Sequence, residues 1–269
     1  MMIGSYATSN QWRQVGKGAK NSEVVSVSQV ATPQVAIGLT MLDIYHDASK
    51  IRTVAYVDNI GSNQFTIHID TWADTTLYNA AVSWLALAAD DPYFQIGVFD
   101  SQNVRSWEKP GNVIHRVNFP RMFESQPKVV VGIKEFDIGN NWQLRVYATD
   151  IDIKGFTIHA ITWGSAILPS VQATWIAFPA NKDGVWSGRF SSEDNPGDFS
   201  GQADFGITFS KTPLVFMALT EFDISSHVKT LRVKLGTDSV TTTSLGWRIS
   251  TWCDTVLSMV GGMYVALEM

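Results

Sequence analysis

The chain has one cysteine in 269 residues, Cys253. A single thiol excludes an internal disulfide, so the fold does not depend on an oxidising compartment. Basic residues are few and scattered: 20 lysines and arginines stand against 25 acids, a net charge of −5. A nucleic-acid surface needs a cationic stripe to neutralise phosphates, and its lack argues against a nucleic-acid partner. No uncharged apolar run approaches the roughly 20 residues that span a bilayer. The opening MMIGSYATSNQWRQ has neither a basic start before an apolar run nor a cleavage-like site, so the expected location is cytoplasmic, or outside the cell by export without a visible signal peptide. There is also no Asn-x-Ser/Thr acceptor.

Catalytic signatures are equally scarce. There is no G-x-S-x-G elbow, no P-loop and no dinucleotide-binding glycine pattern after a strand. The five histidines show neither H-x-H nor H-E-x-x-H spacing, and DNPGD lacks the alternating oxygen ligands of a calcium loop. No metal and no cofactor are therefore expected. A glycosidase would need two carboxylates about 5–9.5 Å apart, for which Asp194 and Asp198 are the candidates. A chain built of repeats rarely assembles one active site three times, so the expectation is that it is not an enzyme.

What the chain does hold is hydrophobic volume, 45% of residues, and aromatic rings, with ten tryptophans. Indole supplies core volume and also flat apolar faces for sugars and other ring ligands. The tryptophans repeat: TWADT at Trp72, TWGSA at Trp163 and TWCDT at Trp252, spaced by 91 and 89 residues. LDI at Asp43 recurs as FDI at Asp137 and Asp223. An arginine follows each aspartate: Arg52 in IRTVAY, Arg145 in LRVYAT and Arg232 in LRVKLG. Glycine segments open each copy near Gly4, Gly97 and Gly188, and VSWLAL, ATWIAF and MYVALE close them. The reading is three modules, 1–90, 91–181 and 182–269, joined by AADDPYF and PANKDGVW, which have linker composition.

Within each module polarity alternates with period two. In FTIHIDTW, Phe65, Ile67 and Ile69 fall on one face and Thr66, His68 and Asp70 on the other. No run of ten or more residues has helical spacing. Short alternating runs separated by IGSNQ, DIKG, KPGN and DNPGD predict an all-β chain of antiparallel β-sandwich modules.

The ordered set resembles the H-type lectin domain of snail agglutinins and of the C-terminal part of discoidins. It comprises the opening glycine, P-x-V before a hydrophobic strand, [LF]-D-[IV], an arginine eight or nine residues on, T-W and a closing strand. It runs three times over essentially the whole chain. The resemblance implies six-stranded β-sandwich modules that usually assemble as trimers, here in one chain as a pseudo-trimer. It also implies terminal galactose or N-acetylgalactosamine glycans, on glycoproteins or glycolipids, as partners, bound near the clefts between modules. The alternative is a structural or protein-interaction module that kept the fold without sugar binding.

The family's site uses an acid after a loop glycine, the arginine, the tryptophan of T-W and an aromatic hydroxyl six residues beyond it. In module three the resemblance points to Asp198, Arg232 and Trp252, with Ser258 at the aromatic position. In module two it points to Glu108, Arg145 and Trp163, with Pro169 at that position. Module one offers Arg52, Trp72 and Tyr78, and Glu23 as its weakly supported acid. Each copy lacks one element. A carboxylate would accept sugar hydroxyls through charge-assisted bonds, arginine would donate from a rigid fork, and indole would cover the apolar C–H patch.

Plainer roles compete at several positions. Trp84 and Trp175 read as core. Asp43, Asp137 and Asp223 are expected to tie turns through their side chains. His68 and His159, replaced by Arg248 in module three, read as a polar outer or inter-module face. Cys253 stands where the other copies have Ala73 and Gly164, a variable small-residue position rather than a nucleophile.

Overall fold

A computed structural model describes residues 1–10, 15–28, 31–46, 50–193, 199–225, 227 and 229–268. Among them there are strands and two 3-10 turns, Thr8–Asn10 and Ser101–Asn103, and no α-helix. The first copy contributes β1 (Met2–Ala7), β2 (Gly16–Lys17), β3 (Lys20–Ser26), β4 (Pro33–His46), β5 (Lys50–Asp58), β6 (Gln64–Asp70) and β7 (Thr75–Ala88). The second contributes β8 (Gln95–Asp100), β9 (Val113–Asn118), β10 (Pro127–Gly139), β11 (Trp142–Asp152), β12 (Gly155–Ile161) and β13 (Ile167–Pro179). The third contributes β14 (Val185–Ser191), β15 (Ser200–Asp204), β16 (Leu214–Ile224), β17 (Thr230–Val240), β18 (Ser244–Ser250) and β19 (Leu257–Leu267).

The alternating pattern explains the layers. Phe65, Ile67 and Ile69 on β6 are fully buried, and burying each such side chain contributes about 1.5–3 kcal/mol. Every ladder is antiparallel, and each of three sheets joins strands of two copies, four and three in the first and three and three in the other two. Their orders are β1-β7-β4-β17-β18-β15, with short β2 added to β7, then β3-β6-β5-β10-β13-β8, and β14-β19-β16-β11-β12-β9. The copies therefore join edge to edge at three seams: β5 on β10 between copies one and two, β11 on β16 between two and three, and β17 on β4 between three and one. Strand edges that separate modules would expose become ladders here, which removes their tendency to pair with other chains.

The opening glycines have a packing reason. Gly4 lies directly opposite Trp84, and Gly97 opposite Trp175. A Cβ on either would fall 2.4 Å or 2.3 Å from the indole. Both tryptophans belong to the core. Gly188 plays the same part against Tyr264.

A second apolar cluster draws on all three copies, with Ala36, Leu85, Val130, Ile176, Phe216 and Val265 among its members. At its centre Gly38, Gly132 and Ala218 stand at equivalent positions, each five residues after Pro33, Pro127 or Pro213. A Cβ on Gly38 would sit 2.3 Å from the Cβ of Ala218, and one on Gly132 2.5 Å from it. The three strands approach so closely that one methyl fills the space.

Each of β4, β10 and β16 carries a bulge at the same place, leaving Thr40, Lys134 or Thr220 as the extra residue. At the seam between copies one and two the bulge buries Lys134 and Glu135 side by side. Burial holds the Lys134 ammonium below its usual range, against the pull of Glu135 and Asp100. Burial likewise raises the Glu135 carboxyl, Asp100 adding to the effect while a hydrogen bond from Ser170 opposes it. A raised folded value means that, above the carboxyl's ordinary 4.5, the native chain keeps a proton that the unfolded chain has lost. Stability must then fall as pH rises through that window. Thermal melts from about pH 4 upward should show this decline, and Glu135→Gln should flatten it; an unchanged slope in the variant would remove Glu135 as its source.

Candidate functional site

The seams gather most of the residues that the repeats single out, through register rather than proximity in sequence. Arg52 on β5 lies opposite Asp137 on β10. Its Nε is 3.3 Å from that carboxylate, and its Nη1 binds Asp74 of its own TWADT turn. Arg232 on β17 repeats the arrangement: it lies opposite Asp43, at 3.4 Å, and pairs with Asp254 of TWCDT. Asp43, Asp137 and Asp223 thus sit within ladders facing another copy, and the expectation that they tie turns is corrected. Asp137 shows the cost: burial raises its carboxyl, and Arg52 and Lys50 draw it back down.

The seam between copies two and three departs from this plan. The residue opposite Asp223 is Gln143, not Arg145. Gln143 Nε2 donates to Asp223 at 3.2 Å, and Trp163 Nε1 donates to the same oxygen at 3.2 Å. Ser165 stands where the other turns have Asp74 and Asp254. The shared L-R-V letters are therefore offset by two residues in the second copy. A shift of two preserves which face a side chain occupies, so alternation cannot reveal it.

Arg145 lies opposite Glu221 and pairs with it at 2.6 Å. Its Nη2 also donates to Glu193 at 2.9 Å and approaches Met259 Sδ at 2.8 Å. Glu221 is 2% exposed, and its Oε1 has no hydrogen-bond partner among the described residues. Glu193 follows the opening strand of the third copy. It comes after the opening Gly188 and before the glycine of DNPGD, the loop that draws attention to Asp198 in the sequence.

The other expected residues are dispersed. Trp72, Trp163 and Trp252 are half-buried at the bases of their turns, and the residue after each takes positive φ: Ala73 at 55°, Gly164 at 61° and Cys253 at 56°. This turn geometry accounts for small residues there, and Cys253 is exposed. Tyr78 is exposed on β7, leaning on Tyr45 at 6.4 Å between ring centres, beside Asn79, which pairs with Asp43. It therefore adjoins the seam of copies three and one, and Ser258 similarly precedes Met259, which lies opposite Asp223. Pro169 precedes Ser170, which lies opposite Asp137.

Glu108 is exposed, and among the described residues no hydrogen bond joins it to Arg145 or Trp163. Its loop is held by Arg105, which donates to the carbonyls of Leu168, Pro169, Lys109 and Gly111 at 2.6–3.0 Å. Glu23 lies on β3 opposite Ile67 and acts on Tyr6, whose phenol burial raises first and Glu23 second. Asp194 and Asp198 lie outside the described residues. His68 and His159 stack on Tyr56 and Tyr147, each at 4.4 Å, and Arg248 pairs with Asp238 instead.

Two of the seams open into grooves at equivalent positions. The one between copies two and three, about 620 Å³, is lined by Arg145, Tyr147, Gly188, Arg189 and Glu221 among others. The one between copies three and one, about 990 Å³, has Lys234, Gly236, Gly4, Ser5 and Met41 at the matching places, with Trp252 and Asn79 also lining it. Both fall within the range of about 300–1,000 Å³ typical of ligand clefts.

Three tandem β-sandwiches with polar, indole-bearing seams define a class of repeat protein, and comparison with known families supplies the name. The H-type lectin domain model matches residues 30–87, 114–178 and 200–267, so the chain belongs to the H-type lectin domain family. A curated relative, ORF 7 of the ATP synthase subunits region of Fuscovulum blasticum, is 33% identical over 69 residues, which is 25% of this chain and 60% of that protein. The chain thus spans less than two thirds of that relative's length. Discoidin II of Dictyostelium discoideum is similar at 17% identity, with a TM-score of 0.30, over 60% of this chain and 83% of that one. Among the described residues no helix is long and apolar enough to cross a membrane.

Proposed function

We propose that the chain is a non-catalytic, multivalent lectin for glycans ending in galactose or N-acetylgalactosamine, a covalent counterpart of a lectin trimer with modules 1–90, 91–181 and 182–269. The observation that carries this reading is the seam between copies two and three. There an arginine bridges an exposed carboxylate, Glu193, and a buried one, Glu221, while Trp163 and Gln143 converge on Asp223. Such a cluster offers acceptors and fixed donors to sugar hydroxyls, and a wrong epimer would leave buried groups unpaired at about 1–3 kcal/mol each. The groove between copies three and one, with Trp252 and Asn79, is the second site. Two weak sites on one chain gain strength on a dense glycan surface through effective concentration, by about 10²–10⁴.

A structural role is favoured for the two arginines held between paired carboxylates. Arg52 lies between Asp74 and Asp137 with 13% of its side chain exposed, and Arg232 between Asp43 and Asp254 with 16% exposed, leaving little of either fork for a ligand.

Agglutination of red cells, inhibited by free N-acetylgalactosamine or galactose, tests the reading. Trp163→Phe and Glu193→Gln should each weaken sugar binding about tenfold, the scale set by one lost charge-assisted bond, without lowering the melting temperature. Failure to agglutinate, together with no binding on a broad glycan array, would sink the lectin reading and leave an interaction module.

A further inference from the structure

The three seams repeat one layout but not its charges. At the seam between copies one and two, Asp137 faces Arg52, which also reaches Asp74 of the turn, and Lys50 draws on the same Asp137 carboxylate. In this set two cations balance two acids. The seam between copies three and one keeps the bridge, with Arg232 held between Asp43 and Asp254. At the seam between copies two and three the positions of Lys50, Arg52 and Asp74 are taken by Asn141, Gln143 and Ser165, all neutral, and the aspartate alone is retained, as Asp223. Gln143 Nε2 takes the place of the arginine Nε, at 3.2 Å from the carboxylate against 3.3 Å and 3.4 Å at the other seams. Glutamine ends at that atom, so it has no counterpart to the outer guanidinium nitrogens that reach a turn acid elsewhere. Ser165 does not restore the link, because its hydroxyl accepts from Asn141 at 2.8 Å. Both donors to the half-buried Asp223, Gln143 and Trp163, are neutral, and among the described residues no cation pairs with it.

We propose that Asp223 takes a ligand's primary ammonium in place of the guanidinium that the other seams supply, so that this site prefers glycans ending in a hexosamine whose amino group is free; this rests on the lectin reading above. The neighbouring row does not oppose a cation. Arg145, two residues along β11, is already shared between Glu193 and Glu221, so three carboxylates, Asp223 included, stand against one guanidinium. An ammonium carries three donors, and one aimed at Asp223 makes a charge-assisted bond on both sides. The acetylated form of the same sugar offers a single neutral N–H there. Trp163 is tied to the same carboxylate through its Nε1, so the indole that would cover a sugar's C–H patch lies next to the group that would hold its amine.

Titration calorimetry on the full chain compares the methyl glycosides of galactosamine, N-acetylgalactosamine and galactose, with ethanolamine as a sugar-free amine. At neutral pH and low salt the galactosamine glycoside should bind about tenfold more tightly than the galactose one, the scale of one hydrogen bond between charged partners. The advantage should fade as pH rises until the sugar amine is neutral. Asp223→Asn, which keeps an acceptor for Gln143 and Trp163 while removing the charge, should erase most of it. Gln143→Arg combined with Ser165→Asp rebuilds the bridge of the other seams and should erase it too, which keeps the test sound if the first variant folds poorly. Equal binding of the amino and neutral glycosides, or an advantage that survives Asp223→Asn in a folded chain, would overturn this inference and leave the lectin reading standing; no binding of any glycoside would overturn both. Displacement of the galactosamine glycoside by ethanolamine at equal concentration would show that the site reads an amine alone, and would overturn it too.

Discussion

Gly38→Ala should destabilise the chain by about 1–3 kcal/mol, the usual cost of overpacking a filled core, although it adds only one methyl group. The new Cβ would have to share space with the Cβ of Ala218, 2.3 Å away, and the surrounding Ala36, Leu85, Val130 and Phe216 are packed around that point. Ala218→Gly in the same chain should recover most of the loss, because it removes the one methyl that fills the centre. The coupling read from this double-mutant cycle isolates the contact. If the two changes are simply additive, the strands do not converge as described. A chain with alanine at all three positions should be worse than either single variant, so three identical copies of the third module would not reproduce this centre.

Arg145→Met is the second large effect. It should cost about 3 kcal/mol, the low end of the 3–5 kcal/mol expected on breaking a buried ion pair, since Arg145 still reaches solvent while Glu221 does not. The loss comes less from the attraction than from leaving the Glu221 carboxylate buried and unpaired. Glu221→Met added to it should restore most of the stability, because the same fold already places Lys234 opposite Met41 at the equivalent seam. Chemical denaturation of the single and double variants reads this directly. Sugar binding at that groove should stay lost in the double variant, which separates the seam's structural contribution from its proposed ligand contact. Recovery of both would place the ligand elsewhere.

Much of the fold is legible in the sequence because it is written in period and repetition. Phe65, Ile67 and Ile69 alternate with polar residues and are buried together, and the ordered set of glycine strand, [LF]-D-I, arginine and T-W, recurring three times, marks three copies. Trp84 and Trp175 read as core and are core. The residues at the seams are harder to assign. The recurrent aspartates resemble turn residues because a carboxylate near a strand end often caps a turn, whereas their partners lie in another copy, 85 residues away for Asp137, 80 for Asp223 and farther still for Asp43, which meets Arg232. Letters that match can also mislead: L-R-V in copies two and three reads as equivalent, but only the ladder with β16 shows Gln143 in the place of Arg232.

By itself the sequence determined the strand class, the threefold repetition, the family resemblance and which faces of the strands are apolar, because these depend on local periodicity along one chain. Only the tertiary structure decided how the copies share sheets, which residues meet at each seam, and which of the recurrent aspartates has no cation opposite it. Those features depend on register between strands far apart in sequence. A two-residue shift leaves the hydrophobic pattern intact while replacing every cross-strand partner.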